Sequence, residues 1–123
     1  VAEDLRVNDH VTPLVELRRL LTVRRSRGVI ANANQRFEDG EQEQALQVLI
    51  DLRNQIPRKD NVWIALGSMY LKMDRRDEAL DAIRRAVEIN PYNARTGSGG
   101  LPRNTSFEAL WSDPAWIRIM DGR

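Results

Sequence analysis

Cysteine is absent from this 123-residue sequence. Disulfides and thiolate metal sites are therefore excluded, and the redox compartment cannot be read from the chain. His10 is the single histidine. With no second imidazole and no thiol beside it, it reads as a turn residue rather than an acid–base or metal group. Lysine occurs only at Lys59 and Lys72, so the basic side is almost all arginine. Neither sign of charge dominates: 19 Lys+Arg stand against 18 Asp+Glu. Nothing global points to nucleic acid or to an acidic partner. No apolar run approaches the ~20 residues that span a bilayer, and no signal-peptide pattern opens the chain. The expectation is a soluble chain with no membrane partner, the cytoplasm favoured and the compartment otherwise unknown.

What the sequence does have is a repeat. Ala45-Leu46 aligns with Ala79-Leu80 at an offset of 34 residues. At that offset Leu49 meets Ile83, Leu52 meets Ala86, and Pro57 meets Pro91. A polar turn precedes each second helix, Glu38-Asp39-Gly40 and Met73-Asp74-Arg75, and each copy ends at a proline that cannot continue a helix. The boundaries are 26–59 and 60–93. In the second copy Trp63, Leu66, Gly67 and Tyr70 follow i, i+3, i+4, i+7, one face of an amphipathic helix. Asp60 or Asn61 is placed to cap it. Ala79, Ile83 and Ala86 share a face of the next helix. A turn of a few residues forces the two helices antiparallel, with Gly67 and Ala79 small where the backbones cross.

The W-x2-L-G-x2-Y spacing at Trp63, Leu66, Gly67 and Tyr70, the small and apolar positions Ala79, Ile83 and Ala86, and Pro91 together resemble the tetratricopeptide repeat (TPR). The first copy keeps Ala45, Leu49, Leu52 and Pro57. It departs in its first helix, where Val29, Asn32, Ala33 and Arg36 replace Trp, Leu, Gly and Tyr. Its apolar side is instead Val29, Ile30, Ala33 and Phe37. The fold expected is all-α: TPR-like antiparallel helix hairpins in two repeats, with an extra N-terminal helix and a C-terminal capping element. The repeat core expected is Trp63, Leu66, Gly67, Tyr70, Ala45, Leu49, Ala79, Ile83 and Ala86.

Two repeats leave two open ends. In front, Thr12-Pro13 reads as an N-cap and first helical residue. Leu14, Leu17, Leu20 and Leu21 then make a stripe in a helix that runs into the first repeat or bends at Gly28. Residues 13–93 thus form one helical unit. Behind it, the glycine-rich stretch 94–104 reads as a flexible linker. Residues 105–121 read as capping helices, started by Thr105 or Ser106 and restarted at Asp113-Pro114. Phe107, Leu110, Asp113-Pro114 and Trp116 resemble the F-x2-L-x2-D-P-x-[FW] ending of many bacterial TPR arrays. Phe107, Leu110, Trp111 and Trp116 are expected to cover the second repeat or a partner chain. In the last helix Trp116, Ile117 and Met120 are expected on one side.

No catalytic constellation and no cofactor or metal site appears. Asp74, Asp77, Glu78 and Asp81 are acids in the first turns of a helix, where they suit its dipole. Arg18, Arg19, Arg24, Arg25 and Arg27 have no acid between them, yet no nucleic-acid motif accompanies them, so they read as a solvated face. The TPR resemblance implies a concave binding face made by the first helix of each repeat. The positions of the carboxylate-clamping TPR class fall on Ile30, Asn34, Ile64 and Ser68, of which only Asn34 matches. Phe37 and Leu71 extend that face, so the expected groove is apolar and suits a hydrophobic helix.

Finally, DLRVNDHVTPLVELRRLL, residues 4–21, resembles the D-L-R-V-D-D-H-P-D-P-x-x-E-L-R-R-L closing run of an uncharacterised bacterial family with an N-terminal-nucleophile hydrolase-like fold. Asn8, Val11 and Thr12 depart from it. The resemblance implies that 1–12 end a preceding domain or link to it, with any nucleophile upstream, and that Leu5-Arg6-Val7 is a last strand. The function expected is protein–protein interaction or self-association, with a neighbouring domain or a second copy (a homodimer) as partner. The alternative, from some relatives of that family, is a peptidoglycan-binding module.

Overall fold

The computed structural model describes residues 11–92 and 101–121. It is all-α and TPR-like. Among the described residues five α-helices carry it: α1 Val11–Glu38, α2 Gln42–Gln55, α3 Asp60–Lys72, α4 Arg76–Ile89 and α5 Pro114–Asp121. Two 3-10 turns, Leu101–Arg103 and Thr105–Leu110, precede α5. In space α2 packs on α1, α4 on α3, and α2 on α3. The expected strand at Leu5–Val7 and His10 lie outside the described residues.

The 34-residue period holds down to single hydrogen bonds. Gly40 and Asp74 stand one period apart, and both have positive φ, +94° and +62°. Glu41 N–H donates to the Arg36 carbonyl at 2.9 Å, and Arg75 N–H donates to that of Tyr70 at 2.8 Å. Gly40 N–H reaches Phe37 O, and Asp74 N–H reaches Leu71 O, both at 3.1 Å. This left-handed helix ending satisfies the last carbonyls of α1 and α3 and turns the chain back on itself.

Two apolar clusters fill the molecule. The first joins α1, α2 and α3 through Ala33, Phe37, Ala45, Leu49, Leu52, Val62, Leu66 and Met69. The second joins α4 to the C-terminal segment through Ile83, Val87, Leu101, Phe107, Leu110 and Trp116. Phe107 and Trp116 stack with ring centroids 5.6 Å apart. Burying each large side chain contributes about 1.5–3 kcal/mol. The C-terminal segment thus covers the second repeat of its own chain. An ion pair fastens it: Arg76 Nε lies 2.9 Å from Asp113 Oδ2, and the same guanidinium donates to the Ala109 carbonyl.

Several local expectations change. Of the two readings at Gly28 the uninterrupted one holds, with α1 running unbroken from Val11 to Glu38. Thr12 therefore lies inside the helix instead of capping it. Lys59, with no side-chain hydrogen bond, is the N-cap of α3, so neither Asp60 nor Asn61 caps it. Asn104, not Thr105 or Ser106, caps the turn that follows it, its side chain accepting from Ser106 N–H at 3.0 Å. At Asp113-Pro114 the restart is as read, with Asp113 Oδ1 accepting from Ala115 N–H at 2.8 Å. The stretch assigned to a linker includes Leu101, which is 2 % exposed in the second cluster, because the chain must bring an apolar side chain onto α4 before the cap begins. In α5 the inward side is Trp116, Ile119 and Met120. Ile117 points out, since its position is one residue off that face.

Candidate protein-binding groove

Two helices build the groove and a remote segment closes it. From α1 come Arg27, Ile30, Ala31 and Asn34. From α3 come Asn61, Ile64, Ala65 and Ser68, where 61, 64 and 68 share a face at i, i+3, i+7. Asn104, Ser106 and Phe107 of the cap complete the wall. The cavity between them is about 380 Å³ and open to solvent.

Its chemistry is amide and hydroxyl groups on an apolar ground, with one cation, Arg27, and no carboxylate. Asn61 Oδ1 is buried and has no hydrogen-bond partner. Leaving such an acceptor unsatisfied costs about 1–3 kcal/mol, which a donor from a ligand would relieve. The Asn104 amide oxygen is already committed to Ser106 N–H.

Four of the six residues expected on the concave face, Ile30, Asn34, Ile64 and Ser68, meet here. The other two do not. Phe37 is only 9 % exposed and belongs to the first core cluster, with the Lys72 ammonium 5.5 Å from its ring. Leu71 is half-buried and packs against both clusters. Both lie near the helix ends, where the chain turns inward to α2 and α4. The groove is correspondingly more polar than an apolar helix slot. Asn61 was within reach of sequence reading, one turn before Ile64. Asn104 and Ser106 were not, since nothing local ties them to α1 or α3.

The repeat-core residues Leu66, Gly67, Tyr70, Ala45, Leu49, Ala79, Ile83 and Ala86 are buried. Trp63 differs: it is half-buried against the first cluster, its indole N–H donating to the Pro57 carbonyl at 2.8 Å. The Arg53 and Arg85 guanidinium groups lie 5.4 and 5.9 Å from its ring. Of the cap residues, Phe107, Leu110 and Trp116 are buried, and Trp111 is half-buried. The acids of α4 sit beside arginines: Arg75 pairs with Glu78 at 3.1 Å, and Arg84 pairs with Asp81.

Residues 61–93 match the tetratricopeptide repeat family model. No characterised protein sequence and no solved structure matches the chain. No described helix is long and apolar enough to cross a membrane.

Proposed function

We propose that this chain is a protein-interaction module whose α1–α3 groove takes a short peptide segment in extended form. The observation that carries this reading is the convergence of Ile30, Asn34, Ile64 and Ser68 around an unsatisfied amide oxygen, that of Asn61. An extended peptide offers backbone N–H donors at regular spacing, and small apolar side chains would sit against Ile30 and Ile64. Because the groove holds one cation and no carboxylate, it favours a segment without basic residues.

Selecting peptides from a random display library against the whole chain tests this. Selected peptides should lose at least tenfold in affinity on Ile64→Arg, since a long cation would fill the half-buried floor. Circular dichroism confirms that the variant stays helical. Peptides that bind the variant as tightly would sink the proposal.

The finer reading, that this module is the tail of a larger and hydrolytic protein, is supported by the resemblance of residues 4–21. The coding sequence upstream of Val1 tests it: a preceding catalytic domain is expected, and an unrelated one removes the reading. The peptidoglycan alternative keeps only one of its two tryptophans, the half-buried Trp111. It needs free tryptophans to stack on sugars, and Trp116 is 3 % exposed against Phe107.

A further inference from the structure

The described side chains of α1 differ in burial along its length. Its last half packs on α2 and α3, and the cleft it shares with α2 ends at Thr22 beside Gln55. The stretch before Thr22, 17–21, contributes no described side chain to that cleft. It carries two of the large apolar side chains that stand in solvent, Leu17 at 52 % and Leu20 at 59 % exposure.

The direction of these leucines matters more than their exposure. A helix turns by about 100° per residue. The buried Ser26, Ala33 and Phe37 share one side of α1. Leu17, Leu21, Arg24 and Gly28 share the opposite side, within about 60° of one another. The apolar stripe thus changes sides midway along one continuous helix. Leu17 cannot reach the repeat core by any bend-free adjustment, and Leu20 stands about 60° round from it on the side of Arg27.

The spacing 17, 21, 24, 28 is that of a heptad seam, which packs against a second helix. Gly28 has nothing within 4 Å of where a Cβ would stand, so a partner backbone can approach there. Arg18 and Arg25 flank the seam on one side and Arg27 on the other. Among the described residues none of these three, nor Arg24, is in an ion pair. No acid occurs in the sequence between Glu16 and Glu38, although Asp51 of α2 lines the same cleft as Arg25.

We infer that this face docks an amphipathic helix of another polypeptide, one whose apolar stripe is flanked by carboxylates. Charge complementarity selects that occupant. A second copy is disfavoured, because a parallel pair sets Arg24 against Arg24 and an antiparallel pair sets Arg18 against Arg25. An anionic bilayer is disfavoured by Arg24, which stands within the apolar seam and would enter the hydrocarbon. Opposite a partner carboxylate, the same arginine fixes the register.

The test titrates the whole chain with synthetic peptides of about four heptads, leucine in the seam, flanked by glutamate in one and lysine in the other. The glutamate peptide should bind, weakening at least tenfold between low salt and about 0.5 M salt. Leu17→Gln with Leu21→Gln, the two apolar seam positions, should abolish binding, with circular dichroism showing that the repeats stay helical. Arg18→Glu with Arg25→Glu should reverse the preference to the lysine peptide. Ile64→Arg, in the groove, should change nothing. Equal binding of both peptides, or insensitivity to the leucine changes, overturns the inference. So does self-association through Leu17 and Leu20, or co-sedimentation with phosphatidylserine vesicles without peptide binding.

Discussion

Gly67 shows how a single position sets the distance between two helices. A Cβ built there would stand 2.9 Å from Ile83 Cδ1 and 3.2 Å from its Cγ1. Ile83 is fully buried, so its Cδ1 would have to shift within the packed second cluster. Overpacking of this kind costs about 1–3 kcal/mol, against the roughly 1 kcal/mol that alanine gains over glycine in a helix. Gly67→Ala should therefore lower stability in urea unfolding by about 1 kcal/mol, and a neutral or stabilised variant would contradict the crossing geometry. In the first repeat the same position is Ala33, also buried, so that pair of helices accepts one more methyl. The turn positions pose the opposite case. At Asp74 φ is +62°, a region glycine enters without steric cost. Asp74→Gly should raise stability by a few tenths of a kcal/mol, and Gly40→Ala should lower it by about 1 kcal/mol. Reading 34-residue spacing locates both turns; only the backbone geometry shows that Asp74 occupies the glycine conformation.

At the scale of elements, the C-terminal segment is held by packing and by one carboxylate. Asp113 caps α5 and pairs with Arg76 at once. The Ala115 N–H bond and then the Arg76 guanidinium hold its carboxyl below the ordinary value. A carboxylate lowered in the folded state contributes stability that is full above its unfolded pKa, about 3.9, and is lost as pH falls through the folded value. The cap should accordingly loosen in acid below about pH 4 before the repeats do, seen as a change in Trp111 and Trp116 fluorescence. Asp113→Asn should remove that acid step. An identical acid transition in the variant would mean other groups govern it. The apolar part is larger: Phe107→Ala should cost about 3–5 kcal/mol by leaving a cavity beside Trp116. The aromatic content of this segment was plain in the sequence. That Leu101 joins it from a glycine-rich stretch was not, because a lone leucine carries no periodicity.

Across the whole molecule, stability passes between neighbours. The first cluster ends at Ala79 and Ala82 of α4, and the second begins at Ile83 on the same helix. An array of this kind needs a cover at its open end. A chain ending at Tyr92 would uncover Ile83 and Val87. It should melt at a clearly lower temperature and bind a hydrophobic dye; an unchanged melting temperature would show that the cap is dispensable. The groove depends on the same cover, since Asn104, Ser106 and Phe107 form one wall. Peptide affinity and cap integrity should fall together in the truncated chain.

The helices and the hairpin turns were determined by the sequence alone, because each arises from residues within one or two helical turns of each other, and the period of 34 is the recurrence of that local pattern along the chain. The site was only half determined. Helical spacing put Ile30 with Asn34 and Ile64 with Ser68, but the facing of those two pairs, the withdrawal of Phe37 into the core and the arrival of the cap at the groove are contacts between distant segments. The same holds for Leu17 and Leu20. Periodicity marks them as a stripe, and only the packing of the second half of α1 decides that both stand exposed among the described residues.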